Sequence, residues 1–179
     1  KNIIASAPHA VAHKKNNKKA ETDAGIIAVL LNQIGNYHAF VKTRDNSLDP
    51  ASGKVTPYRK DISRKIKQYN IERLIDLHIA ARTHPFDVDI GTNYGENVNT
   101  VLAKKYMENF KSRGFPNVTI DSVFVAPART ISSYVAREYN ISALHFEFNY
   151  NVFCNPESRL NHIKLILYSI LSIGVKNIW

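Results

Sequence analysis

Cysteine is almost absent from this chain: Cys154 is the only one in 179 residues. A lone thiol excludes an internal disulfide framework and a zinc site built on several cysteines. It is the usage expected of a reducing, cytoplasmic setting. Long apolar runs are missing too. No stretch approaches the ~18 apolar residues of a membrane span, so no membrane partner is expected. The start, KNIIASAPHA, lacks the apolar core of a signal peptide, although a leader already removed would leave no such trace. There is no glycine-rich phosphate loop. Ser6, Ser132 and Ser133 lack the glycine pattern of a nucleophile elbow, and Cys154 has no adjacent histidine to activate it. Acidic residues are also few, 15 against 24 Lys and Arg, for a net charge of +9. That excess is compatible with nucleic acid, an acidic surface or a small anionic substrate. Much of it lies in HKKNNKK at residues 13–19. With no interleaved aromatics and no RNA- or DNA-binding motif, this stretch reads first as a solvated loop, and nucleic acid is the less favoured partner.

What is present is an alternation of strand-like and helix-like segments, with enough length for one domain over residues 1–179. Residues 2–7 read as a short apolar strand. Ile26, Ile27, Leu30, Leu31 and Ile34 recur at helical spacing, with Thr22 or Asp23 as the starting cap and Gly35 as the end. Residues 37–42 are β-branched and aromatic, a second strand. DNSLDPASGKVTP (45–57) is a turn-rich loop. Ile62, Ile66 and Tyr69 mark a helix, and 73–79 a strand. Residues 86–90 alternate as a half-buried strand. Val98, Leu102, Tyr106 and Phe110 step along a helix that Gly114 and Pro116 end. Residues 118–125 read as a strand, 130–139 as a helix capped by Thr130 with Asn140 at its left-handed end, and 143–148 as a strand. A last helix starts at Pro156, with Ile163, Ile166, Leu167, Ile170 and Leu171 on one face to pack on the sheet. The pattern predicts an α/β fold, a single three-layer αβα sandwich with a central mostly parallel or mixed sheet. Strands in such sheets are buried on both faces and read as near-continuous apolar runs.

Three of these apolar runs end in polar chemistry. Residues 74–78, LIDLH, deliver Asp76 and His78; residues 3–8 lead to His9; residues 143–148 carry Glu147. In open α/β sheets ligands sit outside the carboxyl ends of the strands, so these groups are expected to converge. His78 is the strongest metal-ligand candidate, and Asp76, two residues earlier on the same strand face, can orient a histidine ring. The competing reading of His78 is a satisfied core histidine. Glu21 at the start of the first helix is either a cap-region carboxylate or, with two histidines near, part of a His-Glu-His zinc set that keeps a position open. His13 and Asp23 are competing ligands. Glu147 lies between Phe146 and Phe148, where burial should raise its pKa into the range of a general base or acid; a structural ion pair is the alternative. Arg44 and Asn46 follow the second strand, where Arg can clamp a carboxylate. Tyr58, Arg59, Arg82 and Arg129 are further anion-binding candidates.

The segments ASAPHA, AETDAG, TRDN, IDLH, FDVDIGT and LHFEFN, in that order over residues 5–149, resemble the N-formylglutamate amidohydrolase family within the zinc-carboxypeptidase-like hydrolases. IDLH and FDVDIGT are the most specific pair. The resemblance implies a phosphorylase/hydrolase-like sandwich and a Zn²⁺ cofactor held by His9, Glu21 and His78, with Asp76 behind a ligand. It also implies Glu147 as the catalytic carboxylate and Arg44 as a binder of a substrate carboxylate; Asn46, Tyr58 and Arg82 remain substrate-binding candidates from the residue reading. The substrate would be a small anionic N-acyl amino acid or a peptide-like amide. The chain departs from the family in its shorter length, in a less acidic and Arg-rich continuation after the second strand, and in Tyr150 where a basic residue is usual. Two other classes are weighed against this one: a non-catalytic descendant that binds an anion or partner, and a basic nucleic-acid-binding module or nuclease.

Overall fold

The computed structural model describes residues 1–12, 19–45 and 48–173. Twelve elements follow in order: β1 (Ile3–Ala7), α1 (Thr22–Gly35), β2 (His38–Val41), α2 (Pro57–Tyr69), β3 (Arg73–Ala80), β4 (Val88–Gly91), α3 (Thr100–Lys111), β5 (Val118–Ile120), α4 (Ile131–Tyr139), β6 (Ser142–Asn149), α5 (Asn151–Cys154) and α6 (Pro156–Leu171). The strands form one six-stranded sheet in the order β2-β1-β3-β6-β4-β5. Neighbours from β2 to β6 are parallel, β4 runs antiparallel to β6, and β5 is parallel to β4. The sheet is therefore mixed, and helices cover both of its faces.

Alternation along each strand separates two cores. Ile4, Leu74 and Ala143 pack with Ile62 and Ile66 of α2 and Ile131 and Val135 of α4. Ala5, Ile75, Leu77, Leu144, Phe146 and Phe148 face the other way, against Ile27 and Leu31 of α1, Tyr106 and Phe110 of α3, and Ile163, Ile166 and Ile170 of α6. The last helix thus packs on its own domain.

Several boundaries differ from the sequence expectation for physical reasons. The end of α1 is set by Asn36 in the left-handed region (φ 55°). Gly35 lies within the helix, because a Cβ there would run into the Leu171 side chain of α6. Neither Thr22 nor Asp23 caps α1: Glu21 occupies the cap position without a side-chain cap bond, and Asp23 pairs with Arg159 at 2.6 Å. The run 118–125 is strand only to Ile120. Asp121 then turns with φ 50°, and the buried Asp89 carboxylate accepts the amides of Ser122, Val123 and Phe124 at 3.3, 2.8 and 2.8 Å. Backbone donors that a longer strand would pair are taken by a side chain, so the apolar residues 123–125 belong to a pinned loop. Strand β4 begins at Val88 instead of 86. The cap of α4 is as expected, with Thr130 accepting from the Ser133 amide and Asn140 left-handed.

Candidate metal centre

The face that carries Ile4, Leu74 and Ala143 turns polar toward the carboxyl ends of the strands. Register places Ser6 beside Asp76, Asp76 beside His145, and His78 beside Glu147. Side chains two residues apart share a face, so these five groups form a polar patch directly continuous with the apolar core. All are buried, Asp76 and Ser6 completely.

His9 joins them from the turn after β1, and Glu21 from the start of α1. Two contacts hold these segments together: the Glu21 amide donates to the His9 carbonyl at 2.9 Å, and Gly25 lets α1 approach Ala10, whose Cβ would lie 2.9 Å from an added Cβ. The Glu21 carboxylate does not cap its helix. Its Oε2 accepts the Ile79 amide of β3 at 3.2 Å, which sets it between two imidazoles.

Three residues then converge, Glu21 turning one carboxylate oxygen to each histidine. His9 Nδ1 is 3.2 Å from Glu21 Oε1, His78 Nδ1 is 3.3 Å from Glu21 Oε2, and the two Nδ1 atoms are 3.2 Å apart. Tetrahedral coordination with zinc–ligand bonds of about 2.0–2.1 Å separates ligand atoms by roughly 3.3 Å; the nitrogen–nitrogen contact and each nitrogen–oxygen contact are near that spacing, and the two imidazoles and one carboxylate are donors of the type zinc takes. Each histidine has a carboxylate on its far nitrogen: Asp76 Oδ2 lies 3.2 Å from His78 Nε2, and Asp49 Oδ1 lies 3.0 Å from His9 Nε2. Such pairs fix the tautomer and ring direction of metal-bound histidines. Asp76 is itself anchored by the Ser6 hydroxyl at 2.8 Å, and Ser6 Oγ lies 2.9 Å from the Tyr58 hydroxyl, which donates to the Phe40 carbonyl at 2.7 Å.

The electrostatics follow from this packing of opposite charges. Burial alone would lower the His78 pKa, but Asp76 and Glu21 outweigh it and hold it well above the ordinary range. Burial also opposes the charged form of His9, and Asp49 and Glu21 raise it. Burial would raise Glu21 and Asp76; instead the facing imidazoles hold both carboxyls below their usual values. These are carboxylates and strongly basic imidazoles, the groups that exchange protons for a metal ion.

Glu147 Oε1 lies 3.0 Å from His145 Nε2. His145 stacks on His78 with ring centroids 4.3 Å apart, and its Nδ1 is 3.5 Å from Asp76 Oδ2. Arg44 is exposed in the loop after β2, beside a cleft also lined by Lys42, Pro50, Thr56 and Tyr58. The Tyr58 ring edges that cleft while its hydroxyl is bound to Ser6 and Phe40. Arg82 is exposed after β3, over the Tyr150 ring at 5.2 Å. Arg59 is buried and donates to the carbonyls of Pro50 and Arg129, which gives it a structural task. Arg129 is exposed. Asp23, engaged with Arg159, does not join the cluster. Asn46, His13 and the basic residues Lys14, Lys15 and Lys18 lie outside the described residues.

Sequence reasoning overlooked four polar residues. His145 had a signal: it lies two residues before Glu147 and so shares its strand face. Ser6 had the same signal relative to Ile4. Asp89, inside an alternating strand, and Asp49, in a loop, are recognisable only from their three-dimensional contacts.

No family model matches the sequence, and no curated protein matches it at a significant level. Solved structures do. The fold resembles N-formylglutamate amidohydrolase from Ralstonia eutropha (TM-score 0.52, 13% identity, 66% of this chain and 50% of that one). It resembles a metallo-carboxypeptidase from Burkholderia cenocepacia (TM-score 0.57, 13% identity, 96% and 56%) and a bacteriophage poly-gamma-glutamate hydrolase (TM-score 0.63, 11% identity, 96% and 82%). The matched part of the chain spans half the length of the amidohydrolase. The chain therefore has the α/β fold shared by N-formylglutamate amidohydrolase, carboxypeptidase-like proteins and related hydrolases.

Proposed function

We propose that residues 1–179 form one zinc-dependent hydrolase domain that cleaves an amide bond in an N-acyl amino acid, N-formylglutamate-like, or in a peptide-like substrate. The observation that carries this reading is the convergence of His9 Nδ1 and His78 Nδ1, 3.2 Å apart, on the two oxygens of the Glu21 carboxylate at 3.2 and 3.3 Å, at the carboxyl ends of parallel strands. Its neighbours in fold are hydrolases, which supports the same class.

His9, Glu21 and His78 would hold the ion, with Asp49 and Asp76 orienting the two rings. Bound zinc supplies a Lewis acid for a scissile carbonyl and lowers the pKa of water. Glu147 does the proton work: Oε1 stays on His145, and Oε2 takes the proton of the attacking water and returns it to the leaving amine. The breaking C–N bond thus gives a carboxylic acid and a neutral amine. Arg44 binds the substrate carboxylate through two N–H groups, with Asn46 and Arg82 as further candidates for an anionic subsite, while the Tyr58 hydroxyl is engaged by Ser6 and Phe40.

The test is metal content and turnover together. Protein purified without chelator should carry one zinc per chain and release free amine from N-formyl-L-glutamate or a panel of other N-acyl amino acids. A chelator should abolish release, and added zinc should restore it. A protein without stoichiometric metal, or with release unaffected by chelation, contradicts the proposal.

A further inference from the structure

His145 is buried at the site, and the chemistry above gives it no task of its own. The ring spans two carboxylates, with Nε2 at 3.0 Å from Glu147 Oε1 and Nδ1 at 3.5 Å from Asp76 Oδ2. Stacking on His78 restricts its rotation. Among the described residues, His145 is the hydrogen-bond partner of the Glu147 carboxylate. Asp76 meets both rings, because Oδ2 also lies 3.2 Å from His78 Nε2.

We propose that His145 is a positioning residue for Glu147: its Nε2 holds Oε1 and so aims Oε2 at the reacting centre, while Asp76 steadies the ring from behind. The inference rests on the reading of Glu147 as the base. A glutamate with three rotatable side-chain bonds needs such a tether, since a catalytic group must stay within about 0.5 Å of its productive place and a misplacement of ~1 Å can cost on the order of 10²-fold in rate. The arrangement also makes one β3 carboxylate serve two purposes, orienting His78 on one side and His145 on the other.

The same atoms admit a rival. Asp76 Oδ2, His78 Nε2 and His145 Nδ1 lie at 3.2–3.5 Å without hydrogen-bond alignment, a spacing that a second ion could also occupy. With Nδ1 of His78 facing Glu21 and His9, that ion would require His78 to lose both ring protons and bridge two metals. Two protonated ring nitrogens in electrostatic contact with a shared carboxylate, at 3.2 and 3.5 Å, need no such ionisation.

Ring-¹⁵N spectra and zinc affinity separate these outcomes. Glu147→Gln should move the His145 Nε2 resonance and leave His78 Nδ1 unmoved. His145→Leu should keep the zinc Kd within about threefold, unlike the 10–100-fold weakening expected when a ligand's orienting partner is lost. It should lower kcat on the order of 10²-fold with KM unchanged. His145→Gln, which retains an N–H donor, should recover most of that loss. The proposal is overturned if the His145 ring ignores Glu147→Gln. It is also overturned if His145→Leu weakens zinc as much as Asp76→Asn does, or if His145→Leu abolishes binding of a second zinc equivalent. A protein that binds zinc but cleaves nothing would sink the amidase reading instead. The ring spectrum, recordable with or without zinc, would still decide the His145 contact.

Discussion

The two faces of the sheet, built from the same strands, behave as opposites. On one, Ala5, Ile75, Leu77, Leu144, Phe146 and Phe148 are apolar from end to end and closed by α1, α3 and α6. On the other, the strands are apolar only to their middles, at Ile4, Leu74 and Ala143. They then turn to Ser6, Asp76, His145, His78 and Glu147, all buried. Buried polar groups are costly unless partnered. Here most partners are each other and Glu21, Asp49 and the backbone, while Asp76 Oδ2, His78 Nε2 and His145 Nδ1 meet one another without hydrogen-bond alignment. The first face holds the domain together, and the second gives up apolar burial for a network of charge. Alternation lets one strand do both, because changing every second residue leaves the other face intact.

Substitutions on the two faces should separate metal binding from stability. The largest effect is expected at His78→Ala: loss of stoichiometric zinc and a fall in kcat/KM on the order of 10³-fold or more, the several kcal/mol a Lewis acid contributes, read by metal analysis and amine release. Retained zinc would break the comparison from the polar side. Phe146→Ala, one face over, should lower unfolding free energy by about 3–5 kcal/mol in urea titration, with zinc affinity of the folded protein unchanged. Asp76→Asn should weaken zinc by about 10–100-fold in a chelator competition while leaving the Phe146 face packed.

A smaller effect is expected from pH. In metal-free protein the His78 pKa is raised above its ordinary 6.5, so its stabilising contribution is complete below that pH and fades as pH rises through the raised value. Glu21 and Asp76 lie below their ordinary 4.5 and 3.8; their contribution is complete above those values and is lost as pH falls toward the lowered ones. The site should therefore support folding best between about pH 4.5 and 6.5, seen as a higher melting temperature there. Zinc, which needs neutral imidazoles, should reverse the alkaline decline.

Much of the architecture was legible in the sequence because periodicity reports burial directly. The strands at 3–7 and 73–80 and the helix from Pro156 follow from apolar spacing alone. The strand-end argument also brought His9, Asp76, His78 and Glu147 toward one edge, since strand ends in a parallel arrangement share it. Residues 121–125 were not legible: a local run of Val and Phe has strand character, and only the distant Asp89 carboxylate takes its amides. Glu21 was ambiguous for a related reason. A glutamate before a helix is ordinarily a cap, and its rotation toward Ile79 depends on where β3 ends in space. His145 was overlooked although its spacing from Glu147 carried the information.

The central claim is that one zinc ion is held by His9, Glu21 and His78. A crystal structure of zinc-loaded protein with data collected across the zinc absorption edge tests it directly. The account predicts a single anomalous peak about 2.0–2.2 Å from His9 Nδ1, a Glu21 oxygen and His78 Nδ1. A peak among Asp76, His78 Nε2 and His145, or no peak in protein loaded with excess zinc, would contradict it.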